Sequence, residues 1–281
     1  MKKMDPSDIV VLISGASSGI GKSTAEYLSQ LGYRVYGSSR RPQDYPEPEK
    51  YTLLAMDVRD SLSVETAVET LIRKEGRIDV LVNNAGYGIG GPVEETAPEM
   101  VEAQFNTNFF GLYRVLYRVL KEMRRQGSGL IINISSIGGL IGLPYQGIYS
   151  ASKFAVEGLT EALYKELYGS GIRITMIEPG DYKTGFTARR EIVVADKTRD
   201  RLAASRKIIE HDEQSGRHPL EIARLIRKII HKKRTRLRYP IGAFDQKLSI
   251  FLKRILPGSC FERIIMQYYK VSPDQKTNKK A

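Results

Sequence analysis

The stretch IVVLISGASSGIG, residues 9–21, passes from an unbroken apolar run rich in β-branched residues into three glycines and then into a segment with helical spacing. Such a run suits a strand covered on both faces. Gly15, Gly19 and Gly21 fall in a G-x-x-x-G-x-G spacing as the helix begins. A glycine trio alone says little, but between a strand and a helix it can turn backbone N–H groups and the positive helix end toward a pyrophosphate. The missing side chains let that group come close. The alternative is an ordinary glycine-rich turn.

Runs of the same kind recur at YRVYGS (33–38), YTLLAM (51–56), IDVLVN (78–83), LIINIS (130–135) and IRITMIE (172–178), with RLRYPI (236–241) as a seventh. Helical periodicity fills the intervals at 20–31, 61–75, 98–125 and 150–168. This alternation predicts an α/β fold: a doubly wound, mainly parallel seven-stranded sheet with helices on both faces and ligands beyond the carboxyl ends of its strands. One domain over 1–242 and a basic, amphipathic helical extension over 243–281 with a frayed polar tail account for the length.

The end of the second strand bears on the nucleotide. Many dinucleotide sites place an acidic residue there for a ribose 2′-hydroxyl, whereas YGSSRR offers Ser38, Ser39, Arg40 and Arg41. Guanidinium groups would bond a 2′-phosphate that a carboxylate would repel, so the sequence leans toward NADP(H). Two solvated arginines in a polar loop are the alternative.

The net charge of +12 raises the prospect of nucleic acid or anionic membrane. Residues 1–180 hold 19 Lys+Arg against 21 Asp+Glu, and residues 181–281 hold 25 against 11, so the excess lies in the C-terminal third. No zinc-ligand spacing, RNP-type motif or basic region with heptads accompanies it, and nucleic acid is not expected as a partner. One cysteine, Cys260, excludes an internal disulfide framework. The N-terminal segment has no signal-peptide pattern, which predicts a cytoplasmic protein. His211, His218 and His231 show no metal-ligand spacing, no metal is expected, and no G-x-S-x-G elbow follows a strand.

YSASK, Tyr149 to Lys153, sets a phenol and an ammonium four residues apart, on one face if the segment is helical. A tyrosine titrates near ~10, and an opposite charge about 4–6 Å away lowers an acid by roughly 1–3 units. Taken alone, the pair could equally be two surface residues of a helix.

In order along residues 8–186, SGASSGIG, DV (57–58), NNAG (83–86), NTNFFG, NISSIGG, YSASK and EPGDYKT resemble the short-chain dehydrogenase/reductase family. The match is to its T-G-x-x-x-G-I-G branch, with Ser14 in place of Thr. The resemblance implies a Rossmann-type fold and hydride transfer between NADP(H) and a carbonyl or alcohol carbon. It implies a catalytic tetrad of Asn108, Ser136, Tyr149 and Lys153. Tyr149 would handle the proton, Ser136 would bond the carbonyl oxygen, Lys153 would support Tyr149 and the nicotinamide ribose, and Asn108 would hold a water. Ser135 is the rival to Ser136. The cofactor would meet Gly15, Ser17, Ser18, Gly19, Ile20 and Gly21 at its phosphates. Ser39, Arg40, Asp57, Val58, Asn84, Ala85 and Gly86 would line the adenosine side, and Tyr149, Lys153, Pro179, Gly180, Tyr182 and Thr184 the nicotinamide end. It also implies a homodimer or homotetramer built through the helices near 98–125 and 150–168.

Local similarity around 127–159 is to the 17β-hydroxysteroid and retinol dehydrogenases, which implies a lipophilic carbonyl or alcohol substrate. Leu143, Tyr145 and Phe186 are the expected pocket walls, under a lid over 185–215. In the extension, Phe244, Leu248, Phe251, Leu252, Ile255 and Leu256 share a helical face opposite Lys247, Lys253 and Arg254. That face should pack on the domain or across a subunit boundary, cap the pocket, or rest peripherally on anionic lipid. A catalytically silent NADP-binding sensor or scaffold is the alternative function, which the complete tetrad argues against.

Overall fold

The computed structural model describes residues 5–186, 190–193 and 199–271. Its strands are β1 (Val10–Ile13), β2 (Arg34–Ser39), β3 (Thr52–Ala55), β4 (Val80–Asn83), β5 (Ile89–Gly90), β6 (Gly129–Ile134), β7 (Ile172–Pro179), β8 (Glu191–Ile192) and β9 (Arg238–Ile241). Its helices are α1 (Gly19–Gln30), α2 (Ser61–Glu75), α3 (Pro98–Phe105), α4 (Leu112–Gln126), α5 (Gly147–Glu166), α6 (Arg199–Gln214), α7 (Leu220–Ile230), α8 (Phe244–Ile255) and α9 (Gly258–Tyr268). Seven strands form one sheet in the order β3-β2-β1-β4-β6-β7-β9, with every pairing parallel, while β5 and β8 pair separately. Order reverses between β1 and β4. That is the switch point at which an open parallel sheet presents a crevice.

Alternate residues of each strand leave on opposite faces. Leu12, Leu81, Ile131 and Ile174 pack with Val68 and Leu71 of α2, Val115 and Val119 of α4 and Val156 of α5. Val11, Ile13, Val82 and Ile132 pack with Ala25 and Leu28 of α1 and Ile222, Ile226 and Ile229 of α7. Burial on both faces explains the continuous apolar runs. Local chemistry sets the helix ends: Leu62 N donates to Asp60 Oδ1 (2.9 Å) at the start of α2, and Gly76 ends it with φ +71°.

Two features differ from expectation. The segment 98–125 is not one helix: α3 stops at Phe105, and a π-helical segment, Asn106–Gly111, precedes α4. Gly111 presses against Val58, since a Cβ there would lie 2.7 Å from Val58 Cγ2. The widened turn thus seats against the loop after β3 and carries the buried Asn108. π-Helical turns of this kind occur mostly at functional sites.

The second difference is in the extension. Ile250 of α8 and Phe261 and Ile265 of α9 form a core cluster with Ile137 and Ile141 beyond the sheet. From the expected apolar face only Leu252 and Leu256 pack there, whereas Phe244, Leu248, Phe251 and Ile255 are exposed. The rotation has a polar cause. Gln246 Nε2 donates to Asp181 Oδ2 (2.5 Å) and its Oε1 accepts from Ala243 N (3.1 Å), so a glutamine fixes the inward side.

Candidate active site

The glycine loop is built for close approach. Gly15 and Gly19 have φ of +69° and +55°, where a side chain is strained, and a Cβ on Gly15 would lie 2.8 Å from Ala85 Cα. Gly21 serves packing instead: its Cβ would fall on the Gly15 carbonyl oxygen and 2.6 Å from Asn84 Nδ2, and Gly21 is not on the cavity wall. Asn84 Nδ2 donates to the carbonyls of Ser14 (3.1 Å) and Gly15 (3.0 Å), while Ser14 Oγ accepts from Asn84 N (2.9 Å) and Ala85 N (3.1 Å). Ser14 therefore supplies the hydroxyl by which the ends of β1 and β4 are tied together. The backbone left bare on the crevice side, at the start of α1, fits a pyrophosphate.

Beyond the end of β2, the wall consists of Ser38, Ser39, Arg40 and Arg41, then Asp57, Val58 and Arg59. Arg59 holds Asp57 through a two-pronged ion pair, its Nη2 lying 2.7 Å from Asp57 Oδ2, and so keeps the Asp57 carboxyl below its ordinary range. Arg40 and Arg41 are exposed, and among the described residues neither enters an ion pair. Sequence reasoning passed over Arg59. Its signal was there in DVR, a cation two residues after the acid.

At the other end, α5 presents Tyr149 and Lys153 on successive turns, both buried. Lys153 Nζ lies 5.9 Å from the Tyr149 ring centre and donates to Ile134 O (2.9 Å). Burial pushes its ammonium down to about 8, against an opposing attraction from Glu157. Ser136 Oγ accepts from Gly138 N (3.0 Å); a Cβ on Gly138 would lie 3.4 Å from that oxygen and 3.2 Å from the Tyr149 ring. Ser136 and Tyr149 thus flank one glycine. Ser135 is turned the other way, its Oγ beside Gly139 and near Glu157.

Asn108 lies behind the cavity rather than on its wall. Its Nδ2 donates to Tyr87 O (2.9 Å) and Ser152 Oγ (3.1 Å), and its Oδ1 accepts from Tyr87 N (3.0 Å). Ser152 Oγ in turn donates to Tyr149 O (2.7 Å). The amide therefore ties the loop after β4 to the first turn of α5. Under the sheet end, Arg238 reaches Glu157 (3.0 Å), Glu161 (3.4 Å) and Glu178 (3.2 Å). Burial, then the neighbouring Glu157 charge, pushes the Glu178 carboxyl up to about 8.

One cavity of about 1130 Å³ joins these parts. Its wall includes Ser17, Ser18, Ile20, Gly86, Pro179, Gly180, Tyr182 and Thr184, all expected, and Leu143 and Phe186 at the substrate end. Phe186 meets the Tyr149 ring edge to face with centres 5.7 Å apart. Tyr145 is not part of the wall. It has φ +56° and its carbonyl accepts from Gly91 N (2.8 Å), a turn that leaves Gln146 to line the cavity. Of the expected lid, residues 187–189 and 194–198 lie outside the described residues, while Ile209 and Asp212 of α6 line the cavity. Asp245, Leu248 and Leu252 of α8, Ile264 and Tyr268 of α9, and Tyr269 just after it complete the outer end. Among the described residues no cluster of His, Cys, Asp or Glu could hold a metal, and no helix is long and apolar enough to cross a membrane.

A switch-point cradle for a dinucleotide that runs into a Tyr-Lys-Ser end defines a nicotinamide-dependent oxidoreductase of alcohols and carbonyls. The family profile described as short chain dehydrogenase matches residues 9–193, and the chain belongs to that family. It is 45% identical over 266 residues to the 3-ketodihydrosphingosine reductase of Bacteroides thetaiotaomicron, covering 93% of this chain and 98% of that one. It is 35% identical over 256 residues to the 17-beta-hydroxysteroid dehydrogenase type 1 of Homo sapiens, covering 82% and 76% respectively. The structure of ElxO with NADP bound superposes with a TM-score of 0.67 at 30% identity, covering 83% of this chain and 96% of that one.

Proposed function

We propose that this chain is an NADPH-dependent reductase of the ketone in 3-ketodihydrosphingosine or a closely similar long-chain amino ketone. The observation that carries the reading is the single cavity leading from the glycine loop past Tyr149 to an apolar end between α6, α8 and α9. An aliphatic chain suits Ile209, Leu248, Leu252 and Ile264. The Bacteroides relative, named for such a substrate, covers almost the whole chain. The guanidinium groups of Arg40 and Arg41, with no acidic residue ending β2, favour a 2′-phosphate, as does the NADP-bound neighbour.

NADPH, held by the glycine loop at its phosphates and by Lys153 at its nicotinamide ribose, would supply the hydride when bound. Tyr149 gives its phenol proton to the carbonyl oxygen as negative charge develops there. Ser136 donates a hydrogen bond to the same oxygen; its Oγ already accepts from Gly138 N, which leaves the hydroxyl hydrogen for substrate. Lys153, fixed by the Ile134 carbonyl, stabilises the phenolate left behind. Asn108 acts through position, by holding the turn that carries Tyr149, and its π-helical segment is the place for a water that returns the proton.

The exposed aromatics Tyr113 and Tyr117 on α4 and Phe154 and Tyr164 on α5 form the surface for a homodimer or homotetramer. The test of the activity is NADPH consumption with 3-ketodihydrosphingosine, estrone and a retinoid aldehyde. The amino ketone should give the highest kcat/KM. A faster steroid or retinoid would overturn the substrate, and no NADPH consumption with any of them would overturn the reading.

A further inference from the structure

We propose that α8 docks this protein on an anionic lipid bilayer, with its outward apolar stripe in the headgroup layer and the mouth of the substrate cavity toward the membrane. The proposal deepens the long-chain substrate reading and rests on it for the purpose of docking, though not for the docking itself.

Phe244, Leu248, Phe251 and Ile255 stand at i, i+4, i+7 and i+11, a single stripe along the helix, and are 77%, 40%, 56% and 58% exposed. The opposite side is the one that meets the domain, through Gln246, Ile250 and the bond from Lys253 to Leu140 O. An amphipathic helix normally turns its apolar stripe inward, and here the stripe faces out. The helix is twelve residues long, about 18 Å, too short to span a bilayer and suited to lying in its surface.

Charge decides the occupant. Lys247 and Arg254 are exposed beside the stripe, and residues 243–281 hold eight Lys+Arg against three Asp+Glu. A second copy seated by a two-fold contact of α8 on α8 would set the basic flanks of both copies against each other. Anionic headgroups satisfy the flank while the acyl boundary takes the stripe. The cavity adds direction, because Leu248 belongs to both the stripe and the cavity wall, next to Leu252 and Ile264. A long-chain ketone could pass from bilayer to cavity along apolar surface.

The test uses full-length protein floated with vesicles of phosphatidylcholine and phosphatidylglycerol, or of phosphatidylcholine alone, at low and high NaCl. Wild type should bind the anionic vesicles at low salt, bind neutral ones at least tenfold less, and be released as salt rises. The double variant Phe251→Ser/Ile255→Ser, whose positions are exposed and off the cavity wall, should lose at least tenfold in vesicle affinity. It should keep wild-type turnover of a short, water-soluble ketone. Absence of binding at low salt, or equal binding by the variant, would overturn the proposal. So would a drop in the variant's oligomeric state by sedimentation, which would make the stripe a contact between copies. Vesicle binding without turnover of any long-chain ketone would retain docking and remove the substrate reading; the reverse result would do the opposite.

Discussion

Lys153 Nζ stands 5.9 Å from the centre of the Tyr149 ring, one turn along α5, with both residues buried and the ammonium held by the Ile134 carbonyl. On the proposed mechanism Tyr149 gives a proton to the substrate and the phosphates are left to the glycine loop. Tyr149→Phe should lower kcat by about 10²–10⁴-fold, the usual contribution of a general acid, and leave the Kd for NADPH within a few-fold. Steady-state kinetics and NADPH fluorescence titration check both halves; wild-type turnover in the variant would remove Tyr149 from the chemistry.

The same ammonium sets a pH limit. Burial pushes Lys153 down to about 8, so a step that needs its charge should fade as pH rises through that value. Lys153→Arg, whose guanidinium stays charged, should be slower yet keep a flat alkaline limb, and Lys153→Ala should be slow at every pH. For stability the sign differs. Between about 8 and 10.5 the unfolded lysine binds more protons than the folded one, so the cost of burial is felt below 8 and relieved as pH rises. A kcat profile measured from pH 6 to 10 decides the point.

Glu178, at the end of β7, predicts the opposite trend. Burial, with Glu157 close by, raises its carboxyl from 4.5 to about 8, so the folded state holds the proton longer than the unfolded chain does. Its contribution is present below about 4.5 and is lost as pH rises through about 8. Glu178→Gln keeps the shape without the charge and should gain on the order of 1 kcal/mol relative to wild type at pH 9, about 2–4 °C in Tm. At pH 4, below both values, the two should melt nearly together. A variant that loses stability at pH 9 would show instead that the ion pair with Arg238 outweighs the burial cost.

Arg40 lies on the cavity wall next to Ser39 and in no ion pair with a described residue. NADPH should bind at least about tenfold more tightly than NADH, or ~1.4 kcal/mol. Arg40→Asp should reverse the order by placing a carboxylate where the 2′-phosphate would sit. Equal dissociation constants for the two cofactors in wild type would make Arg40 a solvated surface residue.

Strands and glycine loop were legible because each carries a local pattern: burial on both faces leaves β1 without polar positions and β4 with one, the terminal Asn83, and bare backbone demands Gly15 and Gly19. Two adjacent hydroxyls after β6 diverge in a way the sequence alone does not mark: Ser136 stands toward Tyr149 and Ser135 toward Glu157. Other features depend on long-range pairing. Nothing near Gln246 announces that it will bond Asp181, 65 residues away, and thereby rotate α8 so that its apolar stripe faces out. Likewise, α3 and α4 read as one helix because a π-helical turn changes the backbone path without changing which residues are apolar. Tyr145 was misplaced because a single left-handed residue redirects the chain, and the sequence LPYQG does not say which residue takes that conformation.

Direct hydride transfer to a long-chain amino ketone beside Tyr149 is open to one direct measurement. NADPH carrying deuterium at its transferable position, incubated with 3-ketodihydrosphingosine and the protein, tests it by mass spectrometry of the product. The expected product is an amino alcohol with one deuterium on the former carbonyl carbon, formed by wild type and at least about 10²-fold more slowly by Tyr149→Phe. Ketone recovered unchanged with wild type, or the same labelled product at the same rate from Tyr149→Phe, would contradict it.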